Sequence, residues 1–272
     1  KKIYGRSLSL PPFSGRIQVD YDDSALLSSI QDCELLLGKP ETELLLESRN
    51  RVGALRLPLQ NGKNVEVVIK EFRPSGLQKL KYMFLASKAL KSWQGASALV
   101  ERGIETPFPI AYLEKRKRGF LEKSFFLAER IADSREIRYL FRELLEPELS
   151  ELLVALSRYL SACHKQGFLH RDLSDGNILV KKDEKREFHF YLIDINRIRL
   201  YQRIGLLRGV KNLVRLGVPA PLQHFFLSEY LGGAPPSRFL WLWYRVNKKR
   251  YSFHVEFKKK LRLRQLARKL RI

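Results

Sequence analysis

The stretch His170-Arg171-Asp172-Leu173-Ser174-Asp175-Gly176-Asn177-Ile178-Leu179-Val180, followed by Tyr191-Leu192-Ile193-Asp194, constrains this 272-residue chain more than any other. Apolar runs bracket a polar turn, Phe168-Leu169 before it and Ile178-Leu179-Val180 after it, so the turn is carried on elements that must be buried. Asp172 and Asn177 stand five positions apart across the turn. Asp194 closes an apolar strand beyond a charged hairpin, Lys182 to Glu187. One carboxylate to accept a hydroxyl proton, with an amide and a second carboxylate to hold Mg²⁺ on nucleotide phosphates, is a donor set for phosphoryl transfer. An isolated HxD turn arises by chance, whereas the whole constellation between two apolar runs points to a site.

Upstream, Val65, Val67 and Ile69 alternate with Glu66, Val68 and Lys70, the period of a half-buried strand. Lys70 lies 102 positions before Asp172 and matches the strand lysine that grips the α- and β-phosphates in protein kinases. In those enzymes a glutamate from the following helix holds the lysine. Here no Asp or Glu occurs from Phe72 to Val100, so the pair is absent or comes from elsewhere, with Glu101 as a candidate. The phosphate-covering loop would be Ser48-Arg49-Asn50-Arg51-Val52-Gly53-Ala54, whose single glycine, Gly53, gives only weak support for backbone cradling. Glu129 and Ile131 fall where the chain would cross between lobes, and their backbone groups are candidates for pairing with an adenine edge. His170 reads as a brace of the turn rather than a base, because Asp172 better suits proton acceptance.

The same periodicities organise the chain. Residues 44–129 read as strand-rich with one helix, from about Gln78 to Arg102, that Gly103 can terminate. Lys115-Arg116-Lys117-Arg118-Gly119 is a hairpin turn by its chemistry. Beyond residue 133, Leu149, Leu152, Leu153, Leu156, Leu160 and Cys163 recur at helical spacing, and Gly167 is a good stop before the catalytic turn. Strands are expected at Asn177–Lys181 and Phe188–Asp194, with several helices from Ile204 onward. The plan is α+β and bilobal, a strand-rich N-lobe and a helical C-lobe, with ligands expected in the cleft. The expected divisions are an N-terminal extension over 1–43, a nucleotide-binding lobe over 44–131, a catalytic and acceptor lobe over 132–250 and a basic tail over 251–272.

Charge bears on the partner. The formal net charge is +22, and twelve Lys or Arg against the one acid Glu256 lie between Arg245 and Ile272. Such a balance calls for an anionic partner. Between Ile195 and Ser228 there is no acid but six cations, Arg197, Arg199, Arg203, Arg208, Lys211 and Arg215. A cationic segment leaving the catalytic strand suits an acceptor that already carries phosphate or carboxylate groups, since pairing with Arg is directional and strong. In the tail Leu263, Leu266, Ala267 and Leu270 share one helical face among Arg262, Arg264, Arg268, Lys269 and Arg271. A helix of that kind can lie on an anionic bilayer, each nearby cation adding about 1 kcal/mol. Nucleic acid phosphates are the lesser alternative. No run long and apolar enough to span a bilayer is present, and the first residues do not read as a secretory signal. Cys33 and Cys163, the two cysteines, have no metal or CxxC spacing and suit a reducing cytoplasm.

Taken together, Val68-Ile69-Lys70, the stretch Leu99-Val100-Glu101-Arg102-Gly103-Ile104-Glu105-Thr106-Pro107, the His170–Val180 loop and Leu192-Ile193-Asp194-Ile195-Asn196-Arg197 resemble the lipopolysaccharide kinase family, which includes core heptose and Kdo kinases. The Gly-x-x-Thr-Pro step and the Asp-x-x-Arg ending discriminate it from other kinases. The resemblance implies a protein-kinase-like fold, ATP with Mg²⁺, and phosphorylation of a sugar hydroxyl on an anionic lipid A–core precursor at the cytoplasmic face of the inner membrane. By matching position it implies Asp172 as base, Asn177 and Asp194 as metal ligands and Lys70 as phosphate grip. Ser92 stands where the heptose kinase pattern carries a glutamate. Two rival readings are a RIO-like or aminoglycoside-phosphotransferase-like enzyme, and a weakly active kinase-shaped module that holds RNA or acidic lipid.

Overall fold

Short alternating runs in the first half of the chain form strands β1 (Gly5–Leu10), β2 (Phe13–Gln18), β3 (Glu43–Glu47), β4 (Asn50–Pro58), β5 (Asn64–Phe72), β6 (Pro109–Lys117) and β7 (Phe120–Glu129). They make one antiparallel sheet in the order β1-β2-β6-β7-β5-β4-β3. The computed structural model describes residues 5–47 and 50–260. Lys1–Ala132 together with Asp194–Arg197 form one compact unit, and Asp133–Ile193 with the chain from Ile198 onward form another.

In the strand-rich unit one face of the sheet carries Ile17, Val67, Ile69, Ala111, Leu113, Phe125 and Leu127, packed with Leu26, Ile30, Cys33 and Leu36 of two short helices, α1 (Ser24–Gln31) and α2 (Cys33–Leu36). Each Val, Leu, Ile or Phe among them, wholly removed from water, contributes about 1.5–3 kcal/mol. Asp23 starts α1 by accepting from the Ala25 and Leu26 amides. The first 43 residues, read from sequence as an extension, thus supply two strands and two helices to this body. The Cys33 thiol is held far above its ordinary pKa by burial, with the carboxylates of Glu71 and Glu34 adding to it.

The single helix expected over 78–102 is two helices, α3 (Leu77–Phe84) and α4 (Lys88–Glu101). Leu85 turns extended, and Ser87 caps a new start by accepting from the Leu90 amide. Gly103, at φ 71°, ends α4 as its sequence position suggested. Helix α4 lies on the other side of the sheet, with Trp93 against Tyr112, ring centroids 5.9 Å apart. The β6–β7 hairpin turns on Arg118 and Gly119, both at positive φ, the geometry a two-residue hairpin turn requires.

The second unit is helical around two small sheets. Its elements are β8 (Arg135–Glu136), α5 (Ile137–Glu143), α6 (Glu148–Lys165), β9 (Phe168–His170), β10 (Ile178–Lys182), β11 (Phe188–Leu192), β12 (Ile198–Leu200), α7 (Leu206–Leu213), α8 (Gln223–Tyr230) and α9 (Arg238–Lys260). Helix α6 buries Leu149, Leu152, Leu153, Leu156, Leu160 and Cys163, the stripe read from spacing, and Gly167 follows it at φ 81°. Strand β11 stops at Leu192, two residues short of expectation, and Asp194 stands outside it at φ 56°. Of the basic tail expected over 251–272, residues 251–260 continue α9, and 261–272, with the expected face of Leu263, Leu266, Ala267 and Leu270, lie outside the described residues.

Candidate active site

In the helical unit His170 ties the turn together. Its buried ring accepts from the Asp172 amide at Nδ1 (3.1 Å) and faces the Ile193 carbonyl with Nε2 (3.0 Å), so Nε2 carries the proton and donates. A single imidazole therefore fixes Asp172 relative to the residue that precedes Asp194. Asn177 reinforces the turn by donating Nδ2 to the Asp172 carbonyl at 2.7 Å, and its own carbonyl accepts from the Ile193 amide at 3.0 Å. Asn212 of α7 donates to the His170 carbonyl at 2.9 Å.

The Asp172 carboxylate meets Arg215, whose Nη1 lies 2.9 Å from Oδ1. Arg215 also donates to the Arg171 carbonyl and packs its guanidinium over the Tyr251 ring of α9, 5.3 Å from the centroid. Asp175 accepts from the Gly217 amide at 2.7 Å. Burial pushes its carboxyl above the ordinary value, against the pull of that amide and of Lys248, Arg138 and Arg142.

In the strand-rich unit Lys70 leaves β5 between Val52 and Phe126 on the neighbouring strands. Its Nζ lies 2.8 Å from Asp194 Oδ1, which also accepts from Asn196 Nδ2 at 2.7 Å. The lysine's carboxylate is thus Asp194, and the exposed Glu101 does not take that role. Ser92 is buried inside α4, where its hydroxyl donates to the Lys88 carbonyl. Asp194 holds a left-handed backbone, a conformation that costs a non-glycine residue energy and gathers at functional positions. The turn that follows, 195–197, is seated on α4 at Gly95, where an added Cβ would stand 2.9 Å from the Ile195 carbonyl oxygen.

The other candidates stand elsewhere. Gly53 sits in β4 between Leu44 and Ile69, and an added Cβ would lie 2.7 Å from Leu37 and Thr42 side-chain carbons. Close packing gives that glycine a structural role. Ser48 and Arg49 of the same stretch lie outside the described residues. The Glu129 amide donates to the Phe108 carbonyl at 2.9 Å, and its carboxylate accepts from the Tyr21 hydroxyl. Ile131 is half-buried at the end of this unit, and Arg197, Arg199 and Arg203 are exposed. Sequence reading gave no role to Asn196, Gly95 or Asn212 and counted Arg215 only among cations; Asn196 lay within the quoted motif and was the one most open to notice.

Asn177 and Asp194 offer amide and carboxylate oxygens, the hard ligands that Mg²⁺ takes, and both side chains are part-exposed rather than sealed in apolar surroundings. With its nitrogen bonded to the Asp172 carbonyl, the Asn177 side-chain oxygen is the atom that would face a metal. Each of the two side chains is of a kind that suits the ion.

Residues 76–220, more than half of the chain, match the model of the lipopolysaccharide kinase (Kdo/WaaP) family. The structure resembles WaaP in complex with acyl carrier protein, with a TM-score of 0.54 and 20% identity over 76% of this chain and 88% of that one. At that identity the likeness speaks for a kinase-like α+β fold. It is also similar to the Rio2 kinase–ADP/Mg²⁺–phosphoaspartate complex from Chaetomium thermophilum, with a TM-score of 0.48 and 15% identity over 90% of this chain and 71% of that one. A comparison with curated proteins gives no match.

Proposed function

We infer the activity from one premise: the chain belongs to the lipopolysaccharide kinase (Kdo/WaaP) family and is a kinase. The reaction is ATP-dependent phosphorylation of a sugar hydroxyl, Kdo or heptose, on an anionic lipopolysaccharide core precursor. The observation that carries this reading is the Lys70–Asp194 contact at 2.8 Å, because it sets side by side a strand lysine suited to nucleotide phosphates and a carboxylate suited to their cation, 124 positions apart in the chain.

Asp172 accepts the proton of the acceptor hydroxyl as its oxygen bonds to the γ-phosphorus and the bond to the departing ADP breaks. Arg215 holds the Asp172 carboxylate in place, while His170 and Asn177 fix its backbone. Lys70 turns its ammonium to the α- and β-phosphates. Asn177 and Asp194 would hold Mg²⁺, which supplies neutralising charge to the phosphate oxygens. The exposed Arg199 and Arg203 are suited to anionic groups already on the acceptor. The reading puts the reaction at the cytoplasmic face of the inner membrane, where ATP and a membrane-anchored acceptor meet.

The test is incubation of the pure protein with Mg²⁺, ATP and purified lipid A–core acceptor, read by mass spectrometry. Wild type should add one phosphoryl group, and Asp172→Ala should add none while melting at the same temperature. Equal products from the two proteins would sink the assignment.

A further inference from the structure

Helix α9 is apolar on two opposite sides. Leu240, Tyr244 and Asn247 point into the helical unit, where Lys248 donates to the Leu216 carbonyl and Trp243 Nε1 to the Leu207 carbonyl at 3.1 Å. On the far side Phe239, Leu242, Val246, Phe253 and Phe257 are between 46% and 67% exposed. At ~100° per residue these five fall within an arc of about 60°, and at ~1.5 Å per residue they run for about 27 Å. Apolar residues gathered in one row along a helix differ from those scattered singly over a surface. Exposed Arg238, Arg245, Lys249 and Arg250 flank it, and Glu256 is the one acid from Arg238 to Phe257. At the amino end of α7, Leu206 and Leu207 are also exposed, with Arg208 and Lys211 beside them.

We propose that this face of α9 is a docking surface for an anionic lipid bilayer, with Leu242, Val246 and Phe253 sunk among the acyl chains and the flanking cations on headgroup phosphates. The charges choose the occupant. A second copy packed on the stripe would bring Arg238, Arg245, Lys249 and Arg250 against their own equivalents, whereas a bilayer of anionic lipid meets them with opposite charge. No described helix is long and apolar enough to cross a membrane, so α9 lies along the surface. The inference rests on described residues of α9 and not on the phosphotransfer chemistry.

The experiment uses the full chain with vesicles of phosphatidylglycerol and phosphatidylcholine, or of phosphatidylcholine alone. Wild type should sediment with the anionic vesicles, and the exposed double variant Leu242→Asp/Phe253→Asp should bind them at least about tenfold more weakly. Cys33 and Cys163 are both buried. An environment-sensitive maleimide on Leu242→Cys therefore reports on this face alone and should shift to the blue on anionic vesicles. Equal partitioning of wild type and double variant, or a probe that stays silent on vesicles, overturns the proposal. So does a probe that responds only to an acidic carrier protein or to added unlabelled chain. Loss of lipid binding with full phosphoryl transfer to a detergent-dispersed acceptor would separate this surface from the active site.

Discussion

Lys70 and Asp194 neutralise each other across 2.8 Å, although the sequence places them 124 residues apart. Both side chains are partly exposed, so the pair contributes only about 0–1 kcal/mol to stability. Its value is positional. Lys70→Ala and Asp194→Ala should each lower phosphoryl transfer by roughly 10²–10³-fold, the scale of losing one preorganised electrostatic group. The melting temperature should stay within a few degrees in both. Steady-state turnover beside thermal melts checks this, and a variant that melts normally at full activity would remove its residue from the mechanism.

How much of this was legible beforehand depended on the range of each interaction. Val67, Ile69 and the α6 leucines announce themselves by local period, and Asp172 and Asn177 by a fixed local spacing. The partner of Lys70 could not be read locally, because the pairing depends on the chain's path after β11 and on Gly95 admitting the 195–197 turn. The break between α3 and α4 was missed because Leu85-Ala86-Ser87 contains no proline or glycine; the only local sign was a serine able to cap. Gly53 is ambiguous for the opposite reason, since a glycine in a strand can serve close packing as well as a phosphate.

Arg215 is the clearest gain over the sequence reading, where it was one cation among six. Its contacts with the Asp172 carboxylate and the Arg171 carbonyl hold the proposed base, and Tyr251 backs its guanidinium. Arg215→Ala should reduce kcat by about tenfold to a hundredfold, because a small misplacement of a catalytic group has effects of that order. KM for ATP should barely move. Arg215→Lys keeps the charge but loses the fork, and should recover only part of the rate. An unchanged kcat in Arg215→Ala would show that Asp172 needs no such hold.

His164, buried between Tyr230 and Asn212, gives the fold a dependence on pH. Burial holds its imidazole below the ordinary value, and the Asn212 hydrogen bond only partly opposes this. The unfolded chain, with a value near ~6.5, therefore binds the proton more readily than the fold does. Its contribution is complete above about pH 6.5 and is lost as the pH falls from there through the lower folded value. Thermal melts from about pH 8 to pH 5 should show that decline, and His164→Gln should flatten it. An equally steep decline in the variant would assign it to other groups.

Gly167 joins α6 to the strand that delivers His170, and it is irreplaceable on two counts. Its φ of 81° is one that side chains adopt only with strain, and an added Cβ would stand 1.9 Å from the Tyr201 carbonyl oxygen. The obstruction is backbone, and Tyr201 is itself held by donating its amide to the Gly167 carbonyl at 2.9 Å, so neither side can yield without parting β9 from β12. The left-handed conformation costs about 1 kcal/mol and the overlap a further ~1–3 kcal/mol. Gly167→Ala should therefore lower stability by about 2–4 kcal/mol, a fall of roughly 5–15 °C in Tm for a chain of this size. Gly205→Ala is the matched control, since Gly205 has φ −64° and no atom within 4 Å of an added Cβ. That variant should stay within about 0.5 kcal/mol of wild type. Equal melting of the two variants would mean that the α6–β9 joint tolerates a side chain and that its glycine does not set the position of the turn that carries Asp172.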